Sequence, residues 1–243
     1  MAIMTDTIPR PELLTTLRQG VPIFQGLPDE ALERVVSLAR RSKAGKGERV
    51  FEQGARAEAL HLIVGGRLKV SQTTPEGQHV IIRYLGPREI AGCVAVCGGV
   101  PYPATAEAVE DTWLLSWTRP RIADLAERYP AIGMAAMRIM GGRMTELQAR
   151  LREMQTEQVE RRIAHALGRL VVQAGRRTRD GIEIDFPITR QDLAEMTGTT
   201  LHTVSRTLSK WEAGGIVAGG RQKVLVLQPH ALVSIAGGIP EPG

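Results

Sequence analysis

The stretch "ITRQDLAEMTGTTLHTVSRTLSKWEAGGIV" (residues 188–217) sets two short helix-like runs on either side of a glycine turn. Thr189 followed three positions later by Asp192 forms a capping box, which starts a short helix carrying Leu193, Ala194 and Met196. Gly198 permits a sharp turn, and Thr200 is a natural N-cap for the next helix. On that helix Val204, Leu208 and Trp211 fall at i, i+4 and i+7 and face inward. His202, Ser205, Arg206 and Ser209 occupy the opposite side. The pattern predicts a helix–turn–helix of the kind that reads DNA in the major groove.

Within that reading Arg206 carries the discrimination between bases. Its fork pairs with the O6 and N7 acceptors of guanine, a contact worth about 1–3 kcal/mol. Ser205 and His202 reach neighbouring bases or phosphates, and Ser209 and Lys210 complete the exposed face. Thr189, Arg190, Thr200 and Thr203 lie at helix starts or flanks, where hydroxyls and a cation hold phosphates and set register. Leu201 has two readings, packing or contact with a thymine methyl. Solvation is the plain alternative for any polar helix face, and spacing alone does not exclude it.

Downstream, "GGIVAGGRQKVLVLQP" (214–229) reads as a β-hairpin, or wing, that brings Arg221 and Lys223 toward a DNA backbone. Upstream, "GRRTRDG" (175–181) reads as a basic, turn-rich link after a helix over about 157–175 that carries Ile163, Ala164, Leu167, Leu170 and Val171. Before it, Met137, Met140, Met144, Leu147, Leu151 and Met154 recur at intervals of 3, 4, 3, 4 and 3, with Arg, Glu and Gln between them. That is a heptad seam, and a helix bearing one packs along its length against a partner. Either the chain's own β region or a second copy of the helix can cover it. The narrow stripe and polar flanks favour the second copy, and the methionines favour an adaptable contact.

Between about 45 and 118 the texture is different. Runs such as "RVFEQG", "ALHLIVGGRLKV", "HVIIRYLG" and "TAEAVEDTWLLSW" are punctuated by Gly47, Gly54, Gly65, Gly66, Gly77 and Gly86, which predicts an all-β sandwich or barrel. Residues 28–41, opened by Pro28 and two acids, read as a short amphipathic helix. The 243 residues suffice for two cored domains. A net charge of +5 suits an anionic partner without requiring one. The start "MAIMTDTIPRPELL" lacks a signal-peptide pattern, and "IAGCVAVCGGV" (90–100) falls short of the roughly 20 residues that span a bilayer, so no membrane association is expected and a soluble cytoplasmic protein is. Cys93 and Cys97, the two cysteines, cannot build a disulfide framework or a four-thiolate metal site.

The stretch 188–217 resembles the helix–turn–helix signature of the Crp/Fnr superfamily of bacterial transcription regulators. "GERVFEQG" (47–54) and "LHLIVGGRLKV" (60–70) resemble that family's early β-roll strands. The resemblance covers most of the chain and implies an α+β fold in three parts. These are a cyclic-nucleotide-binding-like β-roll (a jelly roll) with its N-terminal helix in 1–129, a long dimerisation helix in 130–155, and a winged helix–turn–helix domain in 156–243. It also implies a homodimer on pseudo-palindromic double-stranded DNA, with half-sites about one helical turn apart. RNA polymerase is then a further partner, with the chain in an activator's role.

Nucleotide-binding members of that family use Gly-Glu and Arg-Ser or Arg-Thr pairs around a loop of the roll. Here the corresponding stretch is "EIAGCVAVCGGVPYPATAEA" (89–108): Gly92 remains, Cys93 stands at the acidic position, and Tyr102 and Pro103 replace the Arg-Ser pair. Gly92, Cys93, Cys97, Tyr102 and Pro103 therefore outline the candidate effector pocket. A buried anionic nucleotide would lack its compensating cation there, so cyclic AMP is not expected. No cysteine precedes Cys93, which excludes the iron–sulfur cluster of the family's oxygen sensors. "PYPATAEA" (101–108) and "TLHTVSR" (200–206) resemble the nitric-oxide-responsive denitrification regulators, the Nnr/Dnr branch. That likeness implies control of denitrification genes through a haem that binds nitric oxide; no iron ligand carries over from the branch, and since haem usually takes an axial histidine, His61, His79 and His165 are the candidates in this sequence.

Two competing readings remain. Cys93 and Cys97, four apart, form a redox-sensing pair if a helix presents both near a pocket mouth, although their wholly apolar surroundings favour packing. A thiol redox enzyme is the reading from another class. It lacks Cys-x-x-Cys spacing and an obvious partner base, so no enzymatic activity is expected.

Overall fold

The computed structural model describes residues 10–18, 20–97, 100–220 and 222–237. The chain divides into two compact units. One holds the residues up to Thr73 together with Arg83–Thr145, and the other holds Thr74–Ile82 together with Glu146 onward.

The first unit opens with helices α1 (Arg10–Arg18) and α2 (Asp29–Leu38). Pro28 caps α2, which buries Ala31, Leu32, Val35 and Val36, as the apolar spacing requires. Strands β1 (Arg40–Ala44), β2 (Arg49–Phe51), β3 (Ala59–Gly65), β4 (Leu68–Thr73), β5 (His79–Leu85) and β6 (Ile90–Ala91) follow. After the single turn α3 (Val94–Cys97) come β7 (Thr105–Ala108), β8 (Thr112–Thr118) and helix α4 (Arg119–Arg128). The strands form two four-stranded sheets of order β1-β8-β3-β6 and β2-β7-β4-β5. This is the β-roll, whose sheet order cannot be read from the strand sequence.

Period-2 alternation splits the first sheet between two cores. Leu60, Leu62, Leu115 and Trp117 pack with α1, α2, α4 and the start of the next helix. Ile63 and Leu114 pack with Leu68, Leu85, Ala106 and Ala108 of the roll interior. Trp117 is fully buried, donates its indole N–H to the Val35 carbonyl at 2.8 Å, and meets Phe24 edge-on.

Helix α5 (Pro130–Thr156) runs through the end of the first unit into the second. Helix α6 (Val159–Ala174), strands β9 (Gly175–Arg177) and β10 (Ile182–Ile184), helices α7 (Arg190–Thr197) and α8 (Leu201–Ala213), strands β11 (Val217–Gly220) and β12 (Lys223–Val226) and helix α9 (Pro229–Ile235) complete the chain. The four strands form one sheet of order β11-β12-β10-β9. The segment expected to be a bare link, 175–181, is therefore half of a β-hairpin. Arg176 pairs across it with Glu183 at 2.6 Å and with Asp185 at 3.3 Å, so complementary charges on facing strands hold a hairpin whose own residues look like a turn.

Candidate nucleic-acid interface

The helix–turn–helix is built as its sequence dictates. Thr189 caps α7: its hydroxyl oxygen accepts from the Asp192 N–H at 3.0 Å, and the Asp192 carboxylate accepts from the Thr189 N–H at 2.8 Å. Gly198 closes the helix in the left-handed region (φ 60°, ψ 44°), where a side chain would be strained. Thr200 caps α8 by accepting from the Thr203 N–H at 3.2 Å. Val204, Leu208 and Trp211 are buried, whereas His202, Arg206 and Ser209 are exposed and Ser205 is half-buried. Leu201 is 48% exposed, which removes the packing reading and leaves its methyls on the same surface. Arg206 makes no hydrogen bond or ion pair with another described residue, so its whole fork is available.

The flanking residues are more engaged than spacing suggests. The hydroxyls of Thr189, Thr200 and Thr203 are tied up in the two caps. Arg190, at the start of α7, pairs with Glu212 near the end of α8. Lys223 on the wing pairs with Glu183 at 3.2 Å, and Arg221 lies outside the described residues. Lys210 is exposed on α8 and pairs with Glu160 of α6 at 3.1 Å.

Glu160 has no local signal in the sequence, since its partners lie fifty residues away. Its Oε1 accepts from Lys210 and, at 3.0 Å, from the indole N–H of Trp211. The Lys210 and Trp211 hydrogen bonds hold its carboxyl below the ordinary range. A depressed carboxylate stabilises above its unfolded-state pKa, and that contribution is lost as the pH falls through the folded value. Trp211 is 1% exposed, so Glu160→Leu strands a buried donor and should cost about 1–3 kcal/mol of stability. Glu160→Gln, which keeps an acceptor, should cost less; denaturant unfolding of the two variants checks the ranking.

Helix α5 separates its two duties by face. Ile132, Ala135 and Ala136 are buried in the first unit's core. All six seam residues are exposed, from 37% at Met140 to 66% at Met137, and Met134 extends the stripe by one turn. Within its own unit, no part of the seam is therefore covered. At its far end, the Met154 methyl lies 3.0 Å from where a Cβ on Gly198 would stand, against the turn of the helix–turn–helix.

In the roll, Gly92 has φ 72°, and a Cβ there would lie 2.7 Å from the Ala59 carbonyl and 3.0 Å from the Tyr102 ring. Tyr102 is buried. It stacks on Phe51 at 4.0 Å between centroids, donates its hydroxyl to the Ala59 carbonyl at 2.8 Å and accepts from the Ala59 N–H at 3.0 Å. Pro103, beside it, is exposed, and its carbonyl accepts from the Gln72 side-chain amide at 2.8 Å. Cys93 is 2% exposed in the main core, and it precedes α3 rather than sharing it with Cys97. The side chain of Cys97 lies outside the described residues.

The three histidines separate clearly. His79 is exposed at its strand start, and His165 lies 3.2 Å from the Glu157 carboxylate. His61 faces Ser116 across β3 and β8, with its Nδ1 2.8 Å from the Ser116 hydroxyl and its ring stacked on Phe51. Burial pushes its pKa down to about 4.

A β-roll followed by a winged helix–turn–helix is the architecture of a DNA-binding transcription regulator. Residues 41–129 match the cyclic nucleotide-binding domain family, and residues 161–235 match the Crp-like helix-turn-helix domain family. The cyclic AMP receptor protein of Thermus thermophilus is 31% identical over 221 residues, which cover 91% of this chain and 99% of that one. The transcriptional activator protein FnrA of Stutzerimonas stutzeri is 26% identical over 90% of this chain and 88% of its own. The structure of FixK2 from Bradyrhizobium japonicum shares the fold with a TM-score of 0.73 at 19% identity, covering 83% of this chain and 98% of that one. The chain belongs to the Crp/Fnr family of transcription regulators. No helix among the described residues is long and apolar enough to cross a membrane.

Proposed function

We propose that two copies of this chain pair through the α5 seam and read a pseudo-palindromic operator with their α8 helices, under the control of an effector held in the β-roll. The observation that carries this reading is Arg206, exposed and unengaged on a helix whose opposite face is packed into the domain. Arg143 of α5 donates to the Ile90 carbonyl at 2.6 Å, two residues before Gly92, which ties the dimer helix to the effector loop. A change in that loop then biases the packing of α5 and the spacing of the two reading helices. Operator selection with purified protein, followed by footprinting, tests the reading; protected half-sites one helical turn apart support it, and unselective binding defeats it.

The finer assignment is to nitric-oxide control of denitrification genes through haem. His61 is the histidine whose setting fits an iron ligand: burial keeps the ring neutral, and Ser116 orients it through Nδ1, leaving Nε2 to ligate. When bound, the haem would supply an iron that captures nitric oxide. Phe51 stacks on this ring and Tyr102 stacks on Phe51, so both would stand near the bound group. With haem supplied, the protein should give a Soret band that shifts with nitric oxide, and His61→Ala should lose it while His79→Ala and His165→Ala keep it. No band in the parent protein would end this assignment and leave the DNA-binding function standing. Cyclic AMP should give no calorimetric heat, because Tyr102 and Pro103 stand where nucleotide-binding members carry the Arg-Ser pair that meets the phosphate.

A further inference from the structure

We infer that Glu212 is a positioning residue for DNA binding, holding Arg190 so that its free donors meet a backbone phosphate; this rests on the DNA-binding function proposed above. Arg190 is the first residue of α7, where the positive end of the helix dipole disfavours a cation. Glu212 offsets that penalty from the far end of α8. Nη2 of Arg190 lies 3.0 Å from Oε1 and 3.4 Å from Oε2, so one nitrogen spans both oxygens. Nε and Nη1 make no hydrogen bond with the described residues and remain free to donate.

The carboxylate is itself confined. The wing strand β11 passes so close that a Cβ on Gly219 would stand 2.8 Å from Oε1 of Glu212. The pair lies in a cleft of about 420 Å³ lined also by Ile188, Leu208, Val217 and Val224. Apolar walls reduce solvent screening and strengthen the pair. Helix start, reading helix and wing thus meet at one carboxylate. Lys210 and Lys223 in the same region pair instead with Glu160 and Glu183.

The alternative is that Glu212 only adds negative charge near the DNA, and the two accounts predict opposite signs. Removing a carboxylate from a DNA-facing surface should strengthen binding if charge alone matters. If Glu212 positions Arg190, Glu212→Ala should weaken operator binding about tenfold, and Glu212→Gln, which retains an acceptor oxygen, should stay within about threefold of the parent. Arg190→Ala should lower the slope of log K against log salt by about 2 per dimer, one phosphate contact in each half-site. The double variant should bind no more weakly than Arg190→Ala alone. Gly219→Ala, which crowds the carboxylate, should reproduce Glu212→Ala by an independent route. Tighter binding by Glu212→Ala, or effects of the two substitutions that add, would overturn the inference. Arg206→Ala run in parallel keeps the outcomes apart: if it leaves operator binding intact, it is the DNA-binding function that fails.

Discussion

Arg206→Ala should abolish operator selectivity while leaving weak, sequence-independent binding in place. Arg206 is exposed, makes no hydrogen bond or ion pair with another described residue, and sits in the second turn of a helix whose Val204, Leu208 and Trp211 are buried. The substitution therefore removes nothing that supports the fold, and thermal unfolding should be unchanged. Each bidentate arginine–guanine contact discriminates by about 1–3 kcal/mol, and a dimer makes two. The expected loss is about 2–6 kcal/mol, or roughly 30-fold to ten-thousand-fold in operator affinity. Phosphate contacts that do not involve Arg206 persist, so non-specific affinity and most of the salt slope should survive. Gel-shift titrations on operator and scrambled DNA measure both quantities. Equal losses on the two DNAs would show that Arg206 meets phosphates rather than a base. His202 gives the companion test: a glutamate there brings a carboxylate acceptor for cytosine N4, so His202→Glu should change the preference beside that guanine.

The parts of this molecule that were legible in its sequence are those held by local rules. The capping box at Thr189, the turn at Gly198 and the burial of Val204, Leu208 and Trp211 each follow from residues within one or two turns of each other. The β-roll was legible as a series of punctuated strands, whereas the pairing of β1 with β8 joins residues some seventy positions apart and leaves no local mark. The 175–184 hairpin was hidden for a related reason: Arg176 and Glu183 look like loop residues until the strands face each other. In the effector region, Tyr102 and Pro103 are neighbours with opposite fates, one buried through its contacts with Phe51 and Ala59 and one exposed in a bend, and no local pattern separates them. Glu160 and Glu212 were invisible. Each is an ordinary acidic helix residue whose role comes from a partner brought near by the fold.

Met144→Glu, and independently Leu147→Glu, should turn the protein into a monomer that no longer holds its operator. Both side chains are about half exposed in the single chain, at 58% and 46%, so neither change should disturb the chain's own core. In the proposed dimer they lie at adjacent core positions of the seam, where each substitution brings two carboxylates together in a dry interface. A buried, unpaired charge is strongly destabilising, at about 3–5 kcal/mol when a partner is missing, and the symmetry axis doubles the insult. Operator binding falls with the dimer because the linkage makes the second half-site's capture intramolecular, a gain of about 10²–10⁴ that a monomer forfeits. Met144→Leu should retain both dimer and affinity, since the seam needs apolar volume there rather than methionine itself. Sedimentation equilibrium and operator titration on the same preparations decide the matter. A glutamate variant that sediments as a monomer and still binds the full operator with parental affinity would mean that the two reading helices act alone, and the seam would then need a different explanation for its uncovered methionines.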